Sequence, residues 1–206
     1  MLDLPSFAWP GTDADLLALV GAHPWVTMVS APSRGLVVSH LPVLPVPGAE
    51  DVEVIGHLAR TDAEEHELGS CETVLVVQGP HGYVTPGWYV GGPYVPTWNY
   101  VVVHLHGRPR VLDADATYDV LERTVDHFED ARPEPWRLDS VAEYAQRLAP
   151  HVTGFRLTPS RVVAKAKLSQ DKPAADVAGV LRGLSDPGDV HADPHLAAAM
   201  RAGGIP

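Results

Sequence analysis

VPTWNYVVVHLHGRPRV, residues 95–111, decides how the chain is read. From Trp98 to Val111 branched and aromatic side chains run through the longest β-type stretch of the sequence. Gly107 and Pro109 mark a bulge or an edge near its end. Upstream, ETVLVVQ (Glu72–Gln78) is continuously apolar and branched, as a buried strand is. Between the two lies a turn-rich segment with Gly79-Pro80, Pro86-Gly87 and Gly91-Gly92-Pro93.

Working outward, Trp25–Ser30, Gly35–Val46 and Asp51–Ala59 read as shorter strands bounded by turn residues, and Phe155–Leu168 as another. Helices are predicted at Asp13–Val20, at Thr61–Gly69 (short and acidic) and at Asp176–Leu184. A longer one at Asp113–Asp130 would bury Tyr118, Leu121, Val125 and Phe128. Another is predicted from Ser140, capped with Glu143 and burying Val141, Tyr144 and Leu148. The last twenty residues read as a loose helix or tail. Roughly six strands interrupted once by a helical pair lack the βαβ rhythm of nucleotide-binding folds. They predict a mainly β protein, a barrel with helices outside.

Composition narrows the function. Fifteen Lys and Arg against 26 Asp and Glu give a net charge of -11, which repels a phosphate backbone. Direct DNA binding is therefore not expected, and no helix-turn-helix pattern is present. The single Cys71 excludes an intrachain disulfide and a multi-cysteine zinc site. No apolar run approaches the roughly 20 residues of a membrane span, and the N-terminus lacks a signal-type core. A cytoplasmic, non-membrane protein is the expectation. Dinucleotide, P-loop, nucleophile-elbow and H-E-x-x-H motifs are absent, and no catalytic residue is identified.

Eleven histidines and a ring-rich segment carry the chemistry. His104 and His106 share a strand face, which suits a metal pair, but no carboxylate completes the set, and a solvent or subunit contact fits as well. His57 follows Gly56 in an otherwise apolar strand. It reads either as a ligating imidazole beside a flat group or as a half-buried His bonded to a carbonyl. Tyr83, Thr85, Trp88, Thr97, Trp98 and Asn99 alternate rings with hydrogen-bonding groups. They read as a ligand wall or an aromatic plug. Lys165, Lys167, Ser169 and Gln170 could hold a phosphate or carboxylate, or form an exposed strand end.

Several stretches together resemble the PaiB family of FMN-binding negative transcriptional regulators. They are Ser39-His40-Leu41-Pro42, Gly56-His57-Leu58-Ala59-Arg60, Gly79-Pro80 through Trp88-Tyr89, Val95 to Tyr100, Val103 to Gly107 and Lys167-Leu168-Ser169-Gln170. The resemblance implies a split β-barrel of the pyridoxamine phosphate oxidase type, over residues 1–185 with a helical insertion near 113–150, followed by the tail 186–206. It implies a homodimer with FMN in the subunit cleft, and a small-molecule ligand or substrate. It places Ala59, Arg60 and Thr61 at the strand end that helps hold the flavin phosphate. There the chain departs from the family, because Asp62, Glu64 and Glu65 bring negative charge. One extra like charge at about 5 Å costs on the order of 1 kcal/mol. The same family includes haem-dependent piperazate synthases, which join two nitrogens. In that alternative His57 is the iron ligand of haem b, and Arg60, Lys165 and Lys167 meet its carboxylates. If the protein is an enzyme, the resemblance implies such a cyclase or a flavin-dependent oxidoreductase. A cofactor-free interaction module is the remaining alternative.

Overall fold

The structure, a computed structural model, describes residues 7–49 and 51–203. Residues 1–6, 50 and 204–206, which include the start of the N-terminal stretch and the end of the tail, lie outside it. In chain order the elements begin with α1 (Asp13–Ala22), β1 (Trp25–Ser30), β2 (Val37–Pro45), β3 (Val54–Ala59) and α2 (Arg60–Glu65). β4 (Thr73–Val84), β5 (Thr97–Gly107), β6 (Arg110–Val111) and α3 (Ala114–Glu129) follow. The chain continues with α4 (Ala142–Leu148), β7 (Val152–Leu157), β8 (Arg161–Lys167), α5 (Ala174–Ser185) and α6 (Pro194–Ala202). The strands hydrogen-bond in the order β6-β7-β3-β2-β1-β4-β5-β8. Among the described residues there are eight strands where roughly six were expected. β4 runs on through Gly79-Pro80, and the single run predicted over Phe155–Leu168 is two strands broken at Thr158-Pro159-Ser160.

Contacts divide the chain into two units. The first to be described comprises residues 12–77 and 104–162. Its β1 and β2 form a hairpin with Trp25 opposite Pro42 and Ser30 opposite Val37. β3 pairs with β2 and then with β7, His57 facing Gly154 across the ladder. Alternation decides the core: Val26, Met28 and Ser30 of β1 are buried while Trp25 is exposed. Ile55 of β3 packs with Leu44 and with Val120 of α3. Gly154 lets α3 come close, since a Cβ there would lie 2.8 Å from Thr117 Oγ1 and 3.0 Å from Thr117 Cα. That contact sets the rotation of α3. Thr117 and Val120 are buried, whereas Phe128 is 50% exposed, correcting the predicted stripe.

The helix predicted from Ser140 also differs. A 3-10 turn occupies Leu138–Val141, Ser140 Oγ donates to Arg137 O at 2.7 Å, and α4 has no side-chain cap. Val141, Tyr144 and Leu148 lie on the exposed side, and Ala145 is the buried residue. Hydrophobic period alone does not reveal which stripe the tertiary structure covers.

The other unit comprises described residues 7–11, 78–103 and 163–203. It contains the outer part of β4, the first part of β5, most of β8, and helices α5 and α6. Of the loose helix or tail expected at this end, the structure forms a helix, α6. Asp193 caps α6 by accepting from Leu196 N at 2.9 Å, and Leu196, Ala197 and Met200 are fully buried. Burying side chains of Leu or Met size stabilises by about 1.5–3 kcal/mol each, and a helix this short is held by such tertiary packing.

Candidate functional site

In residues 78–103 and 163–203 the alternation of β5 turns Trp98 outward, 54% exposed, and Asn99 inward, fully buried. Beside Trp98 stand His81, stacked at a centroid distance of 6.4 Å and 26°, and Tyr83, edge-on at 6.4 Å. His81 Nδ1 donates to Gly79 O at 2.9 Å, which fixes the tautomer. Tyr83 in turn meets the His191 ring at 4.8 Å. The result is an open group of rings in which His81 lies near-parallel to Trp98 and Tyr83 stands edge-on.

Beneath it, polar side chains tie β5 to the end of β8. Asn99 and Ser169 are hydrogen-bonded to each other, Asn99 Nδ2 donating to Ser169 Oγ at 2.9 Å. Ser169 takes a positive φ of 68°. Gln170 folds back, accepting from Leu168 N at 2.6 Å and donating to Ala166 O at 2.5 Å. Lys167 Nζ donates to Thr97 Oγ1 and to Trp98 O, the latter at 2.9 Å. Both acceptors are neutral, and burial lowers the Lys167 pKa. Lys165, on the same strand face, is buried with no hydrogen-bond partner among the described residues. Thr97, Asn99, Lys167 and Ser169 are thus brought together, with Gln170 bracing the turn.

Trp88 has a different placement. Its indole lies on α5 where Gly183 leaves room, and a Cβ at Gly183 would run into Trp88 Cε2. Its Nε1 donates to Asp189 at 2.9 Å. Thr85 Oγ1 accepts from Gly87 N at 3.2 Å and caps the turn that carries Trp88. Sequence reading passed over Asp176, Lys172 and Tyr94. Asp176 accepts from Val90 N at 2.7 Å and Gly91 N at 2.8 Å, and these backbone bonds, Gly91 first, lower its pKa. The available signal was an acid in the first turn of a predicted helix.

In residues 12–77 and 104–162, His57 shares the face of Ile55 and therefore lies on the α3 side of β3. It is half-buried, burial lowers its pKa, and Nδ1 has no partner among the described residues. The expected carbonyl bond to that nitrogen is not made. Nor is Gly56 open to a flat ligand: a Cβ there would meet Phe155 Cζ at 2.8 Å and Pro42 O at 3.0 Å. Ala59 and Thr61 are exposed at the start of α2, and Arg60 Nε donates to Pro150 O at 2.6 Å. Arg60 also lines a cavity of about 770 Å³ with Tyr118, Gln146, Asp113, Asp115 and Asp119. His104 and His106 lie 6.1 Å apart, and no cluster of three or more metal-ligating side chains exists among the described residues. Sequence reading also passed over His66, which is fully buried between Ser30 and Ser39.

The sheet in this strand order, with flanking helices, is a split β-barrel. Among solved structures it is similar to the FAD and heme binding protein from Mycobacterium smegmatis. The TM-score is 0.57 at 16% identity, covering 81% of this chain and 77% of that one. It is also similar to the flavocytochrome Anf3 from Azotobacter vinelandii, with a TM-score of 0.55 at 16% identity over 75% and 67% of the two chains. A curated relative, the "Protease synthase and sporulation protein PAI 2" of Bacillus subtilis, is 28% identical over 162 residues, 78% of each chain. Residues 6–161 match the family described as "Putative FMN-binding domain", and the chain belongs to that family.

Proposed function

We propose that this protein binds FMN as a homodimer, stacking the flavin on the Trp98 platform. The observation that carries the reading is Trp98 itself, a large ring left 54% exposed and flanked by His81 and Tyr83. A planar ring system covers such a surface at little conformational cost. FMN, when bound, supplies one- and two-electron transfer. Within residues 12–77 and 104–162, Asp62, Glu64 and Glu65 are exposed on α2 and oppose a phosphate beside Arg60. Any regulatory output runs through the bound small molecule or a protein partner, since a net charge of -11 opposes direct contact with DNA.

FMN titration of the purified chain tests this. Trp98→Ala should weaken FMN about fivefold, the worth of one stacked ring, with little change in thermal midpoint. Equal affinity in the variant removes the platform from the flavin.

A second reading, haem on His57, is favoured by the neutral, unpartnered Nδ1 of that imidazole. The absorption spectrum separates the two. Flavin bands fall near roughly 370 and 450 nm and a Soret band near roughly 400 nm, and neither is the outcome for a cofactor-free module. His57→Ala should abolish or reshape a Soret band and lower FMN affinity at most about tenfold.

A further inference from the structure

Behind the Trp98 platform, in the same unit, lies a second and smaller cavity of about 170 Å³. Its wall includes Tyr89, Tyr94, Val95, Pro96, Lys167 and Lys172. It is well below the roughly 300–1,000 Å³ of cofactor-sized pockets, so it suits a ligand of a few carbon atoms or one ring.

Its polar groups are short of partners in one particular sense. Lys167 donates to the neutral Thr97 hydroxyl and Trp98 carbonyl, which leaves one of its three N–H groups over and its charge without a carboxylate bonded to it. The Tyr89 hydroxyl is buried beside Ser169 yet makes no hydrogen bond of good geometry with any described residue. Burial raises the pKa of that phenol, so it stays protonated and can donate. Lys172 pairs with Asp171 at 2.6 Å and lies 5.3 Å over the Tyr94 ring. Two cations against the single Asp171 carboxylate give the lining an excess of one positive charge. The Asp176 carboxylate, held by Val90 N and Gly91 N, offsets part of that excess through its attraction to Lys172, while the Lys167 ammonium keeps only neutral acceptors. The lining also carries apolar surface: Tyr89 and Tyr94 rings tilted at 57° with centroids 4.8 Å apart, with Val95 and Pro96.

A buried donor without an acceptor and a cation without a bonded counter-charge are each costly to maintain unless something accepts from them. We propose that this cavity binds a small carboxylic acid carrying a flat or short apolar body. The carboxylate accepts from Lys167 and the Tyr89 hydroxyl, and the body lies against Tyr94, Val95 and Pro96. Among the described residues no arginine lines the cavity, so the bidentate fork that favours a phosphate is missing. The assignment is independent of the flavin proposal.

Benzoate, titrated into the flavin-free full-length protein by calorimetry and ligand-observed NMR, is the probe. Saturable binding is expected with a Kd on the order of 1 mM or tighter. Tyr89→Phe should weaken it about three- to tenfold while leaving the thermal midpoint unchanged or raised, because only a hydroxyl without a partner is lost. Lys167→Gln should weaken it about tenfold or more. Benzylamine, equal in size and opposite in charge, should not compete. Absence of saturable benzoate binding, or binding unchanged in both variants, overturns the proposal. Displacement of benzoate by inorganic phosphate at comparable concentration overturns the carboxylate assignment. Competition by FMN, with Tyr89→Phe weakening FMN as well, shows that the cavity is part of the flavin site and overturns it as a separate one. Benzoate binding in a chain that takes up no FMN sustains this inference while removing the flavin reading.

Discussion

His66 is fully buried, with Nδ1 2.8 Å from Ser30 Oγ and Nε2 2.9 Å from Ser39 Oγ, and Ser30 Oγ is 2.8 Å from Thr73 Oγ1. Desolvation lowers its pKa below the ordinary value, opposed in part by Asp62. A depressed folded-state pKa stabilises above the unfolded value of about 6.5, and that stability is lost as pH falls from there through the folded value. His57, His104 and His106 shift the same way, each through burial first. Thermal midpoints should therefore drop between about pH 7 and pH 5, and His66→Gln should flatten that slope while lowering stability at pH 7. Parallel slopes in the two proteins would discount His66. Gly183 supports a second expectation. Ala there would force its methyl into the Trp88 ring and cost about 1–3 kcal/mol, measured by denaturant unfolding. Combining it with Trp88→Ala should cost less than the sum of the two single changes. In the sequence, Trp88 and the rings around Trp98 look alike. Trp88 is packed because Gly183, far along the chain, leaves room for its ring, and no local pattern connects the two.

At the scale of elements, α4 and α6 exchange the roles that their patterns suggested. α4 has the clearer apolar stripe, yet Tyr144 is 56% and Leu148 46% exposed. α6 reads as a loose end but buries Leu196 and Met200 completely. Leu196→Ala should accordingly cost about 2–5 kcal/mol, and Leu148→Ala less than about 0.5 kcal/mol, by chemical denaturation. Comparable losses would mean that α4 is covered in solution. Strand positions were more legible than helix faces. Trp25–Ser30 matched to the residue, and β2, β3 and β5 were placed within a few residues. A strand face has a period of two and is buried or exposed as a whole, whereas a helix can rotate to present any of several stripes. For α3 the small contact of Gly154 with Thr117 outweighed the larger side chains.

For the molecule as a whole, large apolar side chains remain exposed in both units: Trp25, Leu36 and Val38 in one, Val90, Val95 and Trp98 in the other. Sedimentation at micromolar concentration should give twice the 22.1 kDa chain mass, and Trp25→Glu or Trp98→Glu should shift the equilibrium toward monomer. A monomer at all concentrations would remove the dimer and any shared cleft. The sequence by itself determined the mainly β class, the acidic charge that opposes nucleic acid, and the VPTWNY stretch, which lies within the residues 6–161 that match the family. These are local or additive properties, carried by residues close together in the chain. Which histidine is buried, which ring is open and which lysine lacks a carboxylate were decided only by tertiary structure. Each depends on partners brought from far along the chain, as Thr97 meets Lys167 and Asp176 meets Gly91. Burial and hydrogen-bond satisfaction belong to that folded arrangement and have no counterpart in a local pattern.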